Sequence, residues 1–188
     1  MDKKGLLIIL SGPSGVGKGT ILKEIMSDDS CALSISATTR APREGELEGV
    51  NYFFKTQEEF QKMIEKNQLL EYAEFCGNFY GTPVEYVDSM LEQGKNVILE
   101  IEVQGALDVK KKRPEAISVF ISPPSFEELF ERLKGRATED METIENRINR
   151  AKEEIKFIPQ YDYEVINDRL ENAIEEVKQI LKSESEKE

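Results

Sequence analysis

The 188-residue sequence contains no histidine and only two cysteines, and both shortages limit the chemistry open to the protein. Without histidine there is no Ser-His-Asp triad, no imidazole base and no histidine-ligated zinc. Cys31 and Cys76 are too few for a disulfide framework, and we interpret them as small apolar residues rather than reactive thiols. Catalysis would therefore depend on Asp, Glu, Lys, Arg, Tyr or a bound metal ion.

Long apolar runs and positive charge are also scarce. The N-terminal apolar run covers only residues 6–10, which is too short for a signal-peptide core or a membrane span, so we predict a cytoplasmic protein. The 25 basic and 37 acidic residues give a formal net charge of −12, which argues against nucleic acid and membranes as partners. An anionic ligand would need basic residues gathered at one site. The sequence is compatible with a monomer or a homo-oligomer.

The segment GPSGVGKGT, residues 12–20, follows the short apolar run and fits most of the P-loop pattern G-x-x-x-x-G-K-[ST]. Backbone N–H groups of such a loop and the N-terminus of the next helix bind phosphate, and Lys18 adds a positive charge. The pattern expects a hydroxyl for magnesium after the lysine, but Gly19 has none and Thr20 comes one position late. We predict a phosphate-binding loop, the alternative being a glycine-rich turn without a ligand.

Segments rich in Val and Ile alternate with helical segments along most of the chain, which predicts an α/β fold with a mostly parallel central sheet. The predicted strands lie at residues 5–10, 96–103, 117–122 and 163–167. The predicted helices include residues 57–70, 139–157 and 169–182, and the chain end SESEKE is expected to fray. Residues 34–96 mix strand formers, turns and helices, and they predict a small insertion. Capping boxes are predicted for Thr56 with Glu59, Thr82 with Glu85, and Ser125 with Glu128.

Arg40 and Arg43 lie close together in the segment TTRAPREGELEGVNYFF, ahead of Tyr52. Two neighbouring guanidinium groups repel each other unless an anion lies between them, and Arg suits bidentate contact with phosphate. The segment therefore favours an anion site. The alternative is a pair of surface arginines that form ion pairs with the glutamates of the same segment.

Glu71, Tyr80 and Thr82 in EYAEFCGNFYGT could hold a planar polar ring, although a helix-end glutamate and a core tyrosine are the alternative. Glu100 and Glu102 lie two apart in a predicted strand, so we expect them to share one face near the ligand crevice. They could hold a hydrated magnesium ion or contact substrate. Exposed edge-strand charges are the alternative.

Arg132, Arg136 and Arg147 lie on two polar helices that a short turn connects. Such helices could form a mobile lid that brings arginine to a phosphate. Ordinary charge pairing on solvated helices is the alternative.

Taken together, these motifs resemble the bacterial guanylate kinase family over roughly residues 5–181. GPSGVGKGT, TTRAPREGELEGVNYFF, EYAEFCGNFYGT, ILEIEVQGA and RLKGRATED occur in the family's order. The resemblance implies a three-layer P-loop kinase fold with a central mostly parallel sheet, a GMP-binding insertion and a helical lid. It places the core at 1–33, 97–124 and 153–188, the insertion at 34–96 and the lid at 125–152.

The resemblance also implies the reaction and the residues that perform it. The γ-phosphoryl group of ATP would pass to GMP, or to dGMP, with Mg²⁺ held mainly by phosphates and water rather than by side chains. The implied catalytic residues are Lys18, Arg136 and Arg147. The implied ATP-binding residues are Gly12, Pro13, Ser14, Gly15, Val16, Gly17, Lys18, Gly19, Thr20, Arg132 and Asn167. The implied GMP-binding residues are Ser36, Arg40, Arg43, Tyr52, Glu71, Tyr80, Thr82 and Glu100.

Two positions depart from the family's pattern: Ala137 replaces a common glycine in the lid, and Glu102 stands where Asp is common. Two alternative functions are a non-catalytic guanylate-kinase-like module that binds phosphorylated peptides and a P-loop kinase for another small phosphorylated acceptor. Lys18 argues against the first alternative, because such modules tend to have degraded P-loops. Glu71 and Thr82 argue against the second, because they suit a pocket that reads a base.

Overall fold

The computed structural model describes residues 4–135 and 140–187. The strands are β1 (Leu7–Ser11), β2 (Cys31–Leu33), β3 (Ala37–Thr38), β4 (Phe53–Phe54), β5 (Leu69–Phe75), β6 (Asn78–Pro83), β7 (Asn96–Glu100), β8 (Ile117–Ser122) and β9 (Tyr163–Ile166). The helices are α1 (Lys18–Ile25), α2 (Gln57–Glu65), α3 (Val84–Glu92), α4 (Val103–Lys112), α5 (Phe126–Gly135), α6 (Met141–Glu154) and α7 (Leu170–Lys187). A 3-10 helix spans Ile155–Gln160. In these two ranges no helix is both long and apolar enough to cross a lipid bilayer.

A five-stranded parallel sheet in the order β2-β7-β1-β8-β9 forms the centre of the molecule. Strand β1 is apolar from Leu7 to Leu10 and buried on both faces, as the middle of a parallel sheet requires. Ile8 and Leu10 pack with α1 and α7 on one face. Leu7 and Ile9 pack with α3 and α4 on the other face. The predicted three-layer α/β fold class is confirmed.

A second sheet of four strands lies in the order β4-β3-β6-β5 and mixes parallel and antiparallel pairs. It has a small core of its own, formed by Ala37, Phe60 and Leu69. Helices α5 and α6 also share a separate cluster, in which Leu129 and Leu133 meet Ile144 and Ile148. The central sheet, the second sheet and the α5–α6 pair therefore each have their own apolar contacts. The predicted residue bounds of core, insertion and lid stay a prediction.

The strand predicted at 96–103 and the helix predicted at 57–70 both extend too far, because an apolar pattern continues past a change in backbone conformation. The strand predicted at 96–103 ends at Glu100, and Glu102 is the N-cap of α4 with its carbonyl accepting the Ala106 N–H. The two glutamates therefore do not share a strand face. The helix predicted at 57–70 ends at Glu65, because Asn67 adopts a left-handed conformation and β5 starts two residues later.

The chain end expected to fray from residue 183 is helical to Lys187 instead. The hydroxyl groups of Ser183 and Ser185 donate to carbonyls of the preceding turn at 2.9 Å, and the Tyr163 hydroxyl contacts the Glu184 carboxylate. These bonds extend α7 beyond its apolar stripe. The three-residue strand β2 at the sheet edge carries no pattern that predicts it.

Of the three predicted capping boxes, two involve a local side-chain cap, and the third fails because its hydroxyl bonds to another strand. Thr56 and Glu59 form both bonds of a capping box, at 3.1 and 2.7 Å, and the Ser125 hydroxyl accepts the Glu128 N–H at 3.1 Å. The box predicted for Thr82 with Glu85 is wrong. Helix α3 begins at Val84 without a side-chain cap, and the Thr82 hydroxyl donates elsewhere, to Glu71.

Candidate active site

The glycine-rich loop of residues 12–17 connects the carboxyl end of β1 to the first turn of α1. Gly12, Gly15 and Gly17 all have positive φ, at 148°, 87° and 104°. A Cβ atom at Gly12 would lie 2.3 Å from the Ile121 carbonyl oxygen. Only glycine fits both this backbone and this close approach. The loop therefore lies at the edge where ligands bind in parallel sheets, with the glycine conformations typical of an anion-binding turn.

Asn167 holds this loop from beneath. It is buried directly after β9, and its Nδ2 donates to the Val16 carbonyl at 2.7 Å. Its own N–H donates to the Ser122 carbonyl at 2.8 Å. A Cβ at Gly17 would lie 2.5 Å from the same amide nitrogen. The family resemblance places Asn167 near the adenine, and the structure adds this direct bond to the loop backbone.

Lys18 folds back over the loop and donates from Nζ to the carbonyls of Gly12 and, at 3.1 Å, Pro13. Burial lowers the pKa of Lys18, and the carboxylates of Glu100, Glu154 and Glu102 raise it again in part. Lys18, the first residue of α1, is therefore under the electrostatic influence of three carboxylates. Glu100 lies beside the end of β1, since it pairs with Leu10 in the sheet.

Helix α6 contacts the loop edge through one stripe of charged residues. Arg147 donates from Nη1 to the Ser14 hydroxyl. Arg150, three residues later and therefore on the same face, pairs with Glu102 at 2.7 Å and with Glu154 at 3.0 Å. Burial raises the pKa of Glu154, and Arg150 opposes that shift. The stripe joins α6 to both the loop and the start of α4.

Sequence reasoning missed Arg150 and Glu154 as site residues. The only local signal is their spacing of four on a predicted helix, which is equally common on an ordinary solvated face. Arg132 forms such an ordinary pair with Glu128 at 3.2 Å within α5. Arg136 and Ala137, both singled out from the sequence, lie outside the described residues.

Arg40, Tyr52 and Tyr80 come together on the second sheet. The Arg40 guanidinium lies 5.3 Å from the centre of the Tyr52 ring, whose centroid is 6.1 Å from that of Tyr80. Arg40 donates from Nη2 to both carboxylate oxygens of Glu46, at 2.8 and 3.0 Å, and this contact lowers the pKa of Glu46. Its Nη1 donates to the Ala41 carbonyl at 2.8 Å. The backbone N–H of Arg43 donates to the same carboxylate at 2.8 Å. The ion-pair alternative from the sequence thus describes Arg40 correctly, while the neighbouring aromatic rings add a second contact surface.

Ser36 lies directly before β3, half-buried, and its carbonyl accepts the Phe53 N–H at 2.9 Å. This bond ties it to the strand that follows Tyr52. Ser36 therefore belongs to the same sheet as Arg40, Tyr52 and Tyr80.

Glu71 lies in β5 and is only 8% exposed. The Thr82 hydroxyl of the adjacent strand β6 donates to its Oε1 at 2.6 Å. Burial raises the pKa of Glu71, and the bond from Thr82 opposes the shift. The alternative of a helix-end glutamate is wrong. Glu71 and Tyr72 line an open pocket of about 310 Å³ together with Asp108, Lys111 and Lys112 of α4.

No set of three or more carboxylate or thiol groups among residues 4–135 and 140–187 converges into a metal site. Glu100 is exposed at the end of β7, and a side chain at Gly19 would meet nothing within 4 Å. Carboxylate oxygens suit Mg²⁺, which normally keeps several waters. The donor set at this edge therefore fits a hydrated Mg²⁺ bound through nucleotide phosphates.

A glycine-rich strand-to-helix loop with its lysine at the edge of a parallel sheet defines the class of P-loop phosphotransferases. The family model for guanylate kinase matches residues 4–184. The chain belongs to the guanylate kinase family.

Individual relatives agree with this assignment. A guanylate kinase of Bacillus cereus (strain ZK / E33L) is 58% identical over 163 residues, which cover 86% of this chain and 80% of that protein. A guanylate kinase of Halalkalibacterium halodurans is 56% identical over 164 residues, with the same two shares. The crystal structure of guanylate kinase from Anaplasma phagocytophilum superposes with a TM-score of 0.71 at 33% identity, over 98% of this chain and 88% of that one. The predicted family, enzyme class and guanylate kinase function are confirmed.

Replacing Asn167 by Ala should loosen the P-loop, because the buried Val16 carbonyl would lose its donor. We expect the free energy of unfolding to fall by about 1–3 kcal/mol, as for other buried groups left unpaired. ATP should also bind more weakly, because the loop backbone is no longer held. Chemical denaturation and ATP titration measure the two effects. Asn172→Ala, on the exposed face of α7, is the matched control; equal effects of the two variants would contradict the prediction.

Removing the pair between α6 and α4 should slow turnover modestly. Arg150 and Glu102 are both more than half exposed, so their interaction is worth about 0.2–1 kcal/mol. Arg150→Gln and Glu102→Gln should each lower kcat by about two- to fivefold, and the double variant should be no slower than either single one. Glu153→Gln with Lys156→Gln removes a nearby exposed pair that joins no second helix of the site, and serves as control. Additive losses in the Arg150–Glu102 cycle would refute the coupling.

Proposed function

We propose that the protein transfers the γ-phosphoryl group of ATP to GMP, and also to dGMP, to give ADP and GDP. Family membership and the P-loop with Lys18 support the phosphoryl transfer. The buried pair of Glu71 and Thr82 carries the choice of acceptor. A base-reading pocket is not what a phosphopeptide-binding module or a kinase for sugar phosphates needs.

Guanine is distinguished from adenine by its hydrogen-bond donors. Guanine presents N1–H and N2–H₂ to an acceptor, and an ionised Glu71 has only acceptors. Adenine presents a lone pair at N1, so a buried carboxylate would face another acceptor without a proton between them. A site whose buried polar group is left unpaired by the wrong substrate discriminates against that substrate by a factor on the order of 10⁴. Glu71 and Thr82 are therefore proposed to read the guanine edge, with Glu100 nearby.

The phosphate of GMP is proposed to bind among Ser36, Arg40, Arg43, Tyr52 and Tyr80. The Nη2 atom of Arg40 already donates to both oxygens of a carboxylate, that of Glu46. A phosphate offers oxygen acceptors with more charge, so it can compete with Glu46 for the Arg40 guanidinium. The hydroxyl groups of the two tyrosines add donors that carry no charge.

The transfer itself needs positioning and charge compensation rather than a general base. An oxygen of the GMP phosphate is already ionised and attacks the γ-phosphorus of ATP, while the bond from that phosphorus to the β–γ bridging oxygen breaks. The electron pair of that bond leaves with ADP. Negative charge spreads over the oxygens of the transferred group in the transition state. Lys18 and Arg147 are proposed to stabilise it, together with Arg136.

The absence of histidine matters little for such a reaction, because no imidazole is required to move a proton.

Mg²⁺, when bound, would supply charge neutralisation between the β- and γ-phosphates. Glu100 is proposed to contact its waters, since Gly19 offers no hydroxyl, while Glu102 is paired with Arg150. The α5–α6 pair is proposed to exclude water, which would otherwise accept the phosphoryl group. The cytoplasmic location stays a prediction.

Glu71→Gln tests the proposed reading of guanine. The amide keeps an acceptor for Thr82 but turns a donor toward a guanine donor, so kcat/KM for GMP should fall by about a hundredfold or more. ATP binding should stay unchanged. A coupled ADP-release assay with GMP, dGMP, AMP, UMP and ribose phosphates measures the preference. Glu74→Gln, exposed on the same strand, is the control. An unchanged GMP preference in Glu71→Gln would remove Glu71 from guanine recognition.

The pH dependence of GMP use gives an independent test. Burial raises the pKa of Glu71, so its carboxyl group protonates at a higher pH than an exposed glutamate. A protonated carboxyl turns a donor toward guanine, so KM for GMP should rise as pH falls toward the raised pKa. The GMP phosphate titrates too, but equally in Glu71→Gln. Dividing the KM of the unchanged protein by that of Glu71→Gln at each pH should therefore leave the pH dependence of Glu71 alone. A ratio that does not vary with pH would contradict an ionised Glu71.

A further inference from the structure

The backbone conformation at position 105 does not require glycine, yet the residue there is Gly105. It lies in the first turn of α4, in the segment ILEIEVQGA, and its φ is outside the positive range. Alanine stabilises a helix interior by up to about 1 kcal/mol relative to glycine. The local conformation therefore favours alanine, and the reason for glycine must be a contact.

That contact is the side chain of Glu71. A Cβ atom at Gly105 would have three nearest neighbours, all in this one side chain: Oε2 at 3.1 Å, Cγ at 3.4 Å and Cδ at 3.5 Å. A contact of 3.1 Å is tighter than a Cβ normally accepts, so the carboxylate would shift by a few tenths of an ångström. The neighbour of Gly105 is thus the group proposed to read guanine.

The carboxylate is held from two sides. Thr82 donates to Oε1 at 2.6 Å, and Oε2 faces the backbone of α4 at Gly105. The N-terminal turn of a helix favours negative charge, which suits an ionised carboxylate in this buried place. A shift away from α4 would either strain the short bond from Thr82 or rotate both oxygens. Hydrogen bonds to a rigid base tolerate little of either, because they weaken steeply with angle.

We infer that Gly105 is a specificity-determining residue that acts by positioning Glu71. Its missing side chain lets the carboxylate lie against α4 at the position from which it meets guanine. This inference rests on the proposed function, in which Glu71 reads the base. It assigns no contact between Gly105 and the substrate.

Gly105→Ala tests the inference because specificity should change far more than stability. The gain in helix propensity should offset the strain at the bond between Glu71 and Thr82, so Tm should change little. Displacement of Glu71 should lower kcat/KM for GMP by about tenfold, mainly through KM, while KM for ATP stays unchanged. The low rate with AMP should not fall, so the ratio of the GMP rate to the AMP rate should decrease. A merely structural glycine would instead lower Tm and weaken both substrates together, and that result would overturn the inference.

The controls separate this inference from the proposed function. Gln104→Ala changes the exposed neighbouring residue of the same helix and should leave the GMP preference intact. In the double variant Glu71→Gln with Gly105→Ala, the loss should be no larger than in Glu71→Gln alone. If Glu71→Gln keeps the GMP preference, the proposed reading of guanine fails. If Glu71→Gln loses the preference but Gly105→Ala keeps it, only the role of Gly105 fails.

Discussion

The site is shaped by one constraint: two highly anionic substrates must bind a chain whose formal net charge is −12. The cations near the proposed phosphate sites are therefore each paired with oxygen atoms of the protein itself. Lys18 contacts two loop carbonyls, Arg40 holds the Glu46 carboxylate, and Arg150 holds Glu102 and Glu154. These partners keep the cations in place. Local pairing lets an acidic protein maintain a positive site.

The parallel sheet brings these groups together, because the carboxyl ends of β1, β7, β8 and β9 meet at one edge. The P-loop follows β1, Glu100 ends β7, and Asn167 follows β9. Helix α4, which starts at the same edge, links the parts that lie outside the sheet. Its N-cap Glu102 contacts α6, Gly105 faces Glu71, and Lys112 donates to the Leu69 carbonyl of β5 at 2.9 Å. One short helix thus contacts α6, the proposed guanine pocket and the second sheet.

Sequence patterns predict what depends on local bonding and miss what depends on distant partners. The α/β class, the P-loop and the box of Thr56 with Glu59 all follow from neighbouring residues. The predicted box at Thr82 fails because its hydroxyl bonds across to another strand, and the strand predicted to Val103 fails because alternation continues into α4. Arg150 and Glu154 look like any solvated helical pair until the fold brings Glu102 and Lys18 beside them.

Glu71 carries a local cost in stability that its proposed role in recognition would explain. A buried carboxylate with a raised pKa favours protonation in the folded state, so its effect on stability becomes unfavourable as pH rises through that pKa. Thr82 offsets only part of this cost with one hydrogen bond. An apolar residue at position 71 would remove the desolvation penalty, but it would present no acceptor to a base. The buried carboxylate is therefore consistent with the proposed reading of guanine, whose donors would complete the bonding that the protein leaves open.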